Sequence, residues 1–116
     1  MKALSIRQPW AWLIAQGYKD IENRTWKTKL RGQFWVHAGK TFDQAGYDQV
    51  RATKPHIPLP LPEEFQREGI VGQAVLVDCV DAHSSEWFTG PYGFILQDAV
   101  LVEFKPLRGK LSFFAV

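Results

Sequence analysis

The sequence predicts an α+β domain in which a small mixed sheet curls towards a β-barrel and two to three short helices pack outside it. Two long apolar stretches rich in β-branched and aromatic residues, 70–80 and 92–104, supply much of the sheet. Helical patterns are short and do not alternate with each strand, which disfavours a doubly wound parallel sheet. The chain has 116 residues, 46% of them hydrophobic and five of them tryptophan, which is enough for one compact core and too little for a second. A single domain over 1–116 is expected.

The chain opens with a strand over Ala3 to Ile6, closed by Arg7-Gln8-Pro9. Pro9 to Gln16 reads as an apolar helix with proline in its first turn and Gly17 just past its end. A strand over Asp20 to Trp26 follows, then a turn at Leu30-Arg31-Gly32 and a strand over Gln33 to Ala38. Thr41 reads as the N-cap of a helix running to Lys54 and stopped by Pro55, with Phe42, Ala45, Tyr47 and Val50 facing inward. Four prolines within 55–62 exclude a regular helix or central strand there and predict an extended surface connector. Glu63 to Arg67 makes one helical turn. Ile70 to Val80 is a strand bent at Gly72, and Tyr92 to Phe104 is a strand interrupted near Gln97-Asp98. Between them lies an aromatic, glycine-containing loop, Ser84 to Gly93, and Gly109 to Val116 forms a closing strand.

Fourteen basic against twelve acidic side chains leave a net charge of +2, an excess too small to predict nucleic-acid binding by itself. The single cysteine, Cys79, lies in an apolar run and reads as a small buried hydrophobe, so nothing points to an oxidising compartment. No apolar stretch approaches the roughly 18 residues that cross a bilayer, and the N-terminus lacks a secretory pattern, so a cytoplasmic protein is expected. His37, His56 and His83 are too widely spread for a local metal motif, and no glycine-rich phosphate loop is present. Neither a metal nor another cofactor is expected.

Lys19, Glu22 and Arg24 form the most informative cluster. On a strand from Asp20, the period of two puts Asp20, Glu22 and Arg24 on one face, with Lys19 at the junction between helix and strand. Cations contact phosphate, and a carboxylate among them accepts from a base amino group or holds a cation in place. A solvated strand face with a weak ion pair is the bland alternative. His37 and Lys40 flank Gly39 at a strand end, where they either add to the same site or serve only local hydrogen bonding. Most tryptophans belong to the core by default. Trp10 and Trp87 sit beside turn residues and are candidates to stack on a base, as is Tyr92 between Gly90 and Gly93.

Gly17, Lys19, Glu22 and Arg24 match the pattern GxKxxExR, and the chain thereby resembles the ASCH domain family. Three further segments resemble that family in the same order: Leu4-Ser5-Ile6-Arg7-Gln8-Pro9-Trp10-Ala11; Arg31-Gly32 with Val36-His37-Ala38-Gly39-Lys40; and Trp87 to Phe94 with Arg108-Gly109-Lys110-Leu111. The resemblance implies a PUA-like β-barrel with a cleft beside the signature, in which RNA binds. One branch of the family hydrolyses N4-acetylcytidine with a lysine at the Lys19 position and a threonine where this chain has Glu22. A carboxylate does not replace a hydroxyl nucleophile without changing the chemistry.

Two readings stand side by side. In the first, the chain is a binding module for single-stranded RNA or a modified nucleoside, using Lys19, Glu22 and Arg24 with Trp10, His37, Lys40, Trp87 and Tyr92 around them. In the second it is an enzyme on RNA or nucleosides, a ribonuclease or an N4-acetylcytidine amidohydrolase-like hydrolase, with Lys19 for proton transfer or charge stabilisation and Glu22 as base or metal-holding carboxylate. The proline-rich loop 55–62 is a candidate contact for a protein partner.

Overall fold

The structure, a computed structural model, describes residues 1–116. Strand β1 (Lys2–Gln8) leads into helix α1 (Trp10–Ala15), followed by β2 (Ile21–Arg24), β3 (Gly32–Phe42) and helix α2 (Gln44–Thr53). A 3₁₀ turn at Pro62–Glu64, then β4 (Gly69–Val80), β5 (Tyr92–Pro106) and β6 (Phe113–Ala115), complete the chain. All six strands join one mixed sheet in the order β2-β5-β4-β3-β1-β6. Strand β1 runs parallel to β3, and every other pairing is antiparallel.

Alternation along the strands builds the core. Leu4 and Ile6 of β1, Phe34 and Val36 of β3, Ala74 and Leu76 of β4, and Phe94 and Leu96 of β5 share one buried cluster with Ala11 and Ile14 of α1. Gly72, expected as a bend, is where neighbours close on β4. A Cβ there would lie 2.7 Å from the Val100 carbonyl oxygen and 2.8 Å from the Ala15 methyl carbon.

The expected barrel is not formed. Strands β2 and β6 are the two ends of the sheet and share no ladder. The sheet curls enough to bring β2 back towards β1, but side chains hold that seam. The Arg24 guanidinium donates to the Ser5 carbonyl at 2.8 Å. Trp26 and Phe94, from the β2 side, meet Phe113 of β6 at ring-centroid distances of 6.0 Å each. Strand β2, four residues long, pairs only with β5.

Other departures are local. Strand β2 excludes Asp20, which is exposed. Strand β3 continues to Phe42, so Asp43 and not Thr41 caps α2, its carboxylate accepting from the Gly46 N–H at 2.9 Å. Tyr47 and Val50 are buried as expected, Phe42 is half-buried, and Ala45 is exposed. The interruption expected near Gln97-Asp98 is a bulge within one continuous strand, with Asp98 at φ 53°. The closing strand is short, and the helical turn sits at Pro62–Glu64. The proline-rich segment lacks regular structure yet is tied down: Ile57 is buried and the Tyr47 hydroxyl donates to the Pro60 carbonyl at 2.8 Å.

The end of α1 directs the chain towards the signature. Gly17 adopts φ 86°, the Tyr18 N–H reaches back to the Leu13 carbonyl at 2.9 Å, and the Gly17 N–H to that of Ile14 at 3.0 Å. These two bonds are a Schellman turn, which asks for a residue tolerant of the left-handed region. Nothing lies within 4 Å of a Cβ built at Gly17. Gly17→Ala should therefore lose about 1–2 kcal/mol through the backbone alone, and Gly17→Asn less. Urea denaturation tests the order; equal stability of all three proteins would contradict it.

Candidate functional site

A cleft of about 640 Å³ opens at the seam between β1 and β2. Ser5, Ile6 and Arg7 line it from β1, Glu22 and Arg24 from β2, and Lys19 from the turn before β2. Helix α2 contributes Gln49, Val50 and Thr53, and the loop after β4 contributes Glu86, Trp87 and Thr89. Trp10, at the start of α1, and Asp43 also line it.

Lys19 and Glu22 are buried, with 5% and 7% of their surface exposed. Lys19 arrives there through the glycine turn, its own N–H also donating to the Leu13 carbonyl at 3.1 Å. The Lys19 ammonium donates to the Ile21 carbonyl, stands 3.5 Å from Glu22 Oε1 and lies 5.5 Å from the centroid of the Trp10 ring. The other carboxylate oxygen, Oε2, accepts from Arg24 Nε at 3.0 Å and stands 3.0 Å from Arg24 Nη2. One anion thus bridges two cations, one to each oxygen. Burial pushes the Lys19 ammonium below its ordinary pKa of 10.5; Glu22 opposes that shift and Arg24 adds to it.

Asp43 connects α2 to this group. Its Oδ1 accepts from the Gly46 N–H, and its Oδ2 accepts from the Trp10 indole N–H at 3.1 Å and lies 3.7 Å from the Arg7 guanidinium. The Gly46 N–H keeps the Asp43 carboxyl below the usual 3.8, against the opposing effect of burial, with smaller contributions from Trp10 and Arg7.

Asn23 performs a task that sequence reasoning missed. Its amide donates to the Trp87 carbonyl at 2.9 Å and accepts from the Thr89 and Gly90 N–H groups at 2.9 and 3.2 Å, fixing the loop that carries Trp87. The only signal was an asparagine, a poor strand former, inside a strand. Lys54 pairs with Glu86 at 2.6 Å and lies 4.7 Å above the Trp87 ring, joining α2 to the same loop.

Of the sequence-derived site residues, Lys19, Glu22, Arg24, Trp10 and Trp87 converge on the cleft, whereas His37, Lys40 and Tyr92 do not line it. His37 is buried; its Nε2–H donates to the Leu107 carbonyl, which leaves Nδ1 to accept from the Ser5 hydroxyl at 3.0 Å. Lys40 is exposed near the end of β3, and Tyr92 pairs with Arg24 in the β2–β5 ladder. No three His, Cys, Asp or Glu side chains gather into a metal-holding group. No helix is long and apolar enough to cross a membrane.

The buried ammonium has a measurable consequence. Native Lys19 holds its proton less tightly than unfolded Lys19, so between the lowered native pKa and 10.5 the unfolded chain binds more protons and stability rises with pH. The stability of the wild type relative to Lys19→Met should therefore increase from neutral pH towards pH about 10, read by urea denaturation. A relative stability that falls over this window would contradict the burial of the charge.

Comparison with known proteins shows the family and the fold. Residues 4–108 match the model of the ASCH domain. Activating signal cointegrator 1 of Mus musculus is 32% identical over 81 residues, covering 66% of this chain and 14% of that protein. The Homo sapiens protein of the same name is 28% identical over 120 residues, covering 91% and 20%. The chain thus spans no more than a fifth of the length of these relatives. The crystal structure of ASCH from Zymomonas mobilis superposes with a TM-score of 0.52 at 19% identity, covering 91% of this chain and 73% of that one. A mutant of that protein gives 0.54 at 18% identity, with the same coverage. At that identity the likeness concerns the fold, an α+β domain with a six-stranded mixed sheet and two helices. By its family match over nearly all of its length, the chain belongs to the ASCH domain family.

Proposed function

We propose that the cleft binds single-stranded RNA or a modified nucleoside, with Lys19, Glu22 and Arg24 as the recognising group. The observation that carries this reading is the bridge itself: a buried carboxylate holds an ammonium and a guanidinium at one concave site that Trp10 and Trp87 also line. Glu22 orders both cations before a ligand arrives, which lowers the conformational cost of binding. Arg24 uses Nε and Nη2 within the protein and keeps Nη1 for a ligand oxygen. Arg7, whose side chain is 59% exposed, supplies a further cation for phosphate.

A volume of about 640 Å³ suits a nucleoside-sized group, and bases reach such a site only when unstacked, which favours single strands over duplex. The curled sheet with its side-chain seam is read as a PUA-like arrangement whose unclosed edge provides the cleft. A protein partner at the proline-rich loop is the weaker reading, because Ile57 and the Pro60 carbonyl are already engaged inside the domain.

A second reading has one observation in its favour. A lysine whose proton is loosened by burial and held beside a carboxylate is equipped for proton transfer, so hydrolysis of RNA or of a nucleoside amide is the enzymatic alternative. Glu22 would be its base, since no hydroxyl nucleophile stands at that position.

Lys19→Ala and Arg24→Ala should each weaken binding of a short single-stranded RNA and flatten its salt dependence by about one unit or less, measured by fluorescence anisotropy across a salt series. Unchanged affinity in both variants, with circular dichroism intact, would rule out the binding role. Glu22→Gln keeps the side-chain shape and loses the charge-assisted bonds, so binding should fall while the fold persists. Retained binding with lost turnover of N4-acetylcytidine or RNA would instead establish the enzymatic alternative.

A further inference from the structure

We infer that Asp43 is a positioning residue of the cleft: its carboxylate holds the Trp10 indole N–H so that the ring stays over the Lys19 ammonium. The inference deepens the proposed binding function, and only its RNA arm rests on that reading.

The contacts divide cleanly between the two carboxylate oxygens. Oδ1 caps α2 through the Gly46 N–H at 2.9 Å, and Oδ2 receives the indole N–H of Trp10 at 3.1 Å, from 33 residues away in sequence. Capping alone does not call for aspartate, because Ser, Thr and Asn cap about as well. Serine and threonine offer one side-chain oxygen, and asparagine offers one oxygen and a donor-only NH₂. Among these short capping residues, only aspartate presents two acceptor oxygens to two separate donors.

Gly46 completes the arrangement. A Cβ at that position would come within 2.3 Å of the Trp10 ring, so the first turn of α2 accepts the ring only where a glycine stands. The indole is therefore fixed at its N–H by Asp43 and along its edge by Gly46, while Lys19 lies 5.5 Å from the ring centroid. Ring and ammonium attract each other, most strongly where water is excluded. The charged groups acting on Lys19 are Glu22, Arg24 and Asp20, with Asp43 beyond the indole. Since burial is the main cause of the loosened Lys19 proton, a ring that moves away admits water and moves the titration back towards the ordinary one.

Asp43→Ser separates the two tasks, because serine keeps the cap and does not reach the indole. NMR should show faster exchange of the Trp10 indole N–H and a Lys19 titration moved up towards 10.5, with thermal stability close to the wild type. Trp10→Phe, which removes the donor and leaves a smaller ring, should move Lys19 in the same direction, and adding Asp43→Ser to it should move Lys19 no further. Unchanged indole exchange and Lys19 titration in Asp43→Ser would overturn the inference. So would an equal Lys19 change from Asp43→Ser in the Trp10→Phe background. Should Asp43→Ser not fold, the inference rests on Trp10→Phe, and an unshifted Lys19 there overturns it. In the RNA arm, Asp43→Ser should weaken a short single-stranded RNA by about 5- to 30-fold. A wild type that binds no RNA defeats the proposed function, while the NMR result still decides the role of Asp43.

Discussion

The structure depends on one carboxylate. Glu22 lies in the seam between β1 and β2 with an ammonium on one oxygen and a guanidinium on the other, and both cations are largely removed from water. Charges taken out of water cost more than an isolated pair returns unless the remaining donors and acceptors are also satisfied. Here each cation has a second acceptor: Lys19 reaches the Ile21 carbonyl, and Arg24 reaches the Ser5 carbonyl. Through Arg24 the same carboxylate indirectly holds the end of the sheet that lacks a ladder. Fold and site therefore share their electrostatics.

The outer parts of the cleft are built by long-range polar contacts of a different kind. Asp43 ties α2 to α1 through Trp10, and Asn23 ties β2 to the loop carrying Trp87. The Lys54–Glu86 pair joins α2 to that loop, though with Glu86 mostly exposed it contributes little energy. A shallow sheet edge becomes a lined cleft because two short polar side chains, Asn23 and Asp43, and the Lys54–Glu86 pair fix its borders.

The sequence made the central cluster legible because strand alternation and a helix-ending glycine are local signals. Glu22 and Arg24 share a face by the period of two, and Gly17 marks the turn that delivers Lys19. Asp20, expected on that face, falls outside the four-residue strand, whereas Lys19, expected at the junction before it, pairs with Glu22. The six-stranded order, the open seam and the tasks of Asn23 and Asp43 were not legible. Each depends on which distant segments meet, and periodicity carries no record of that. His37 shows the same limit: a histidine beside a glycine and a lysine is as consistent with a buried structural bond to Leu107 as with a ligand site.

The central claim is that a ligand meets the protein at the Glu22-bridged cations. It is tested most directly by NMR titration of a short single-stranded RNA into the intact, isotope-labelled chain, following side-chain resonances. The account predicts saturable perturbations at the Lys19 ammonium, the Arg24 guanidinium and the indoles of Trp10 and Trp87, with His37 unaffected. Saturable perturbations confined to other surfaces, or none at all, would contradict it.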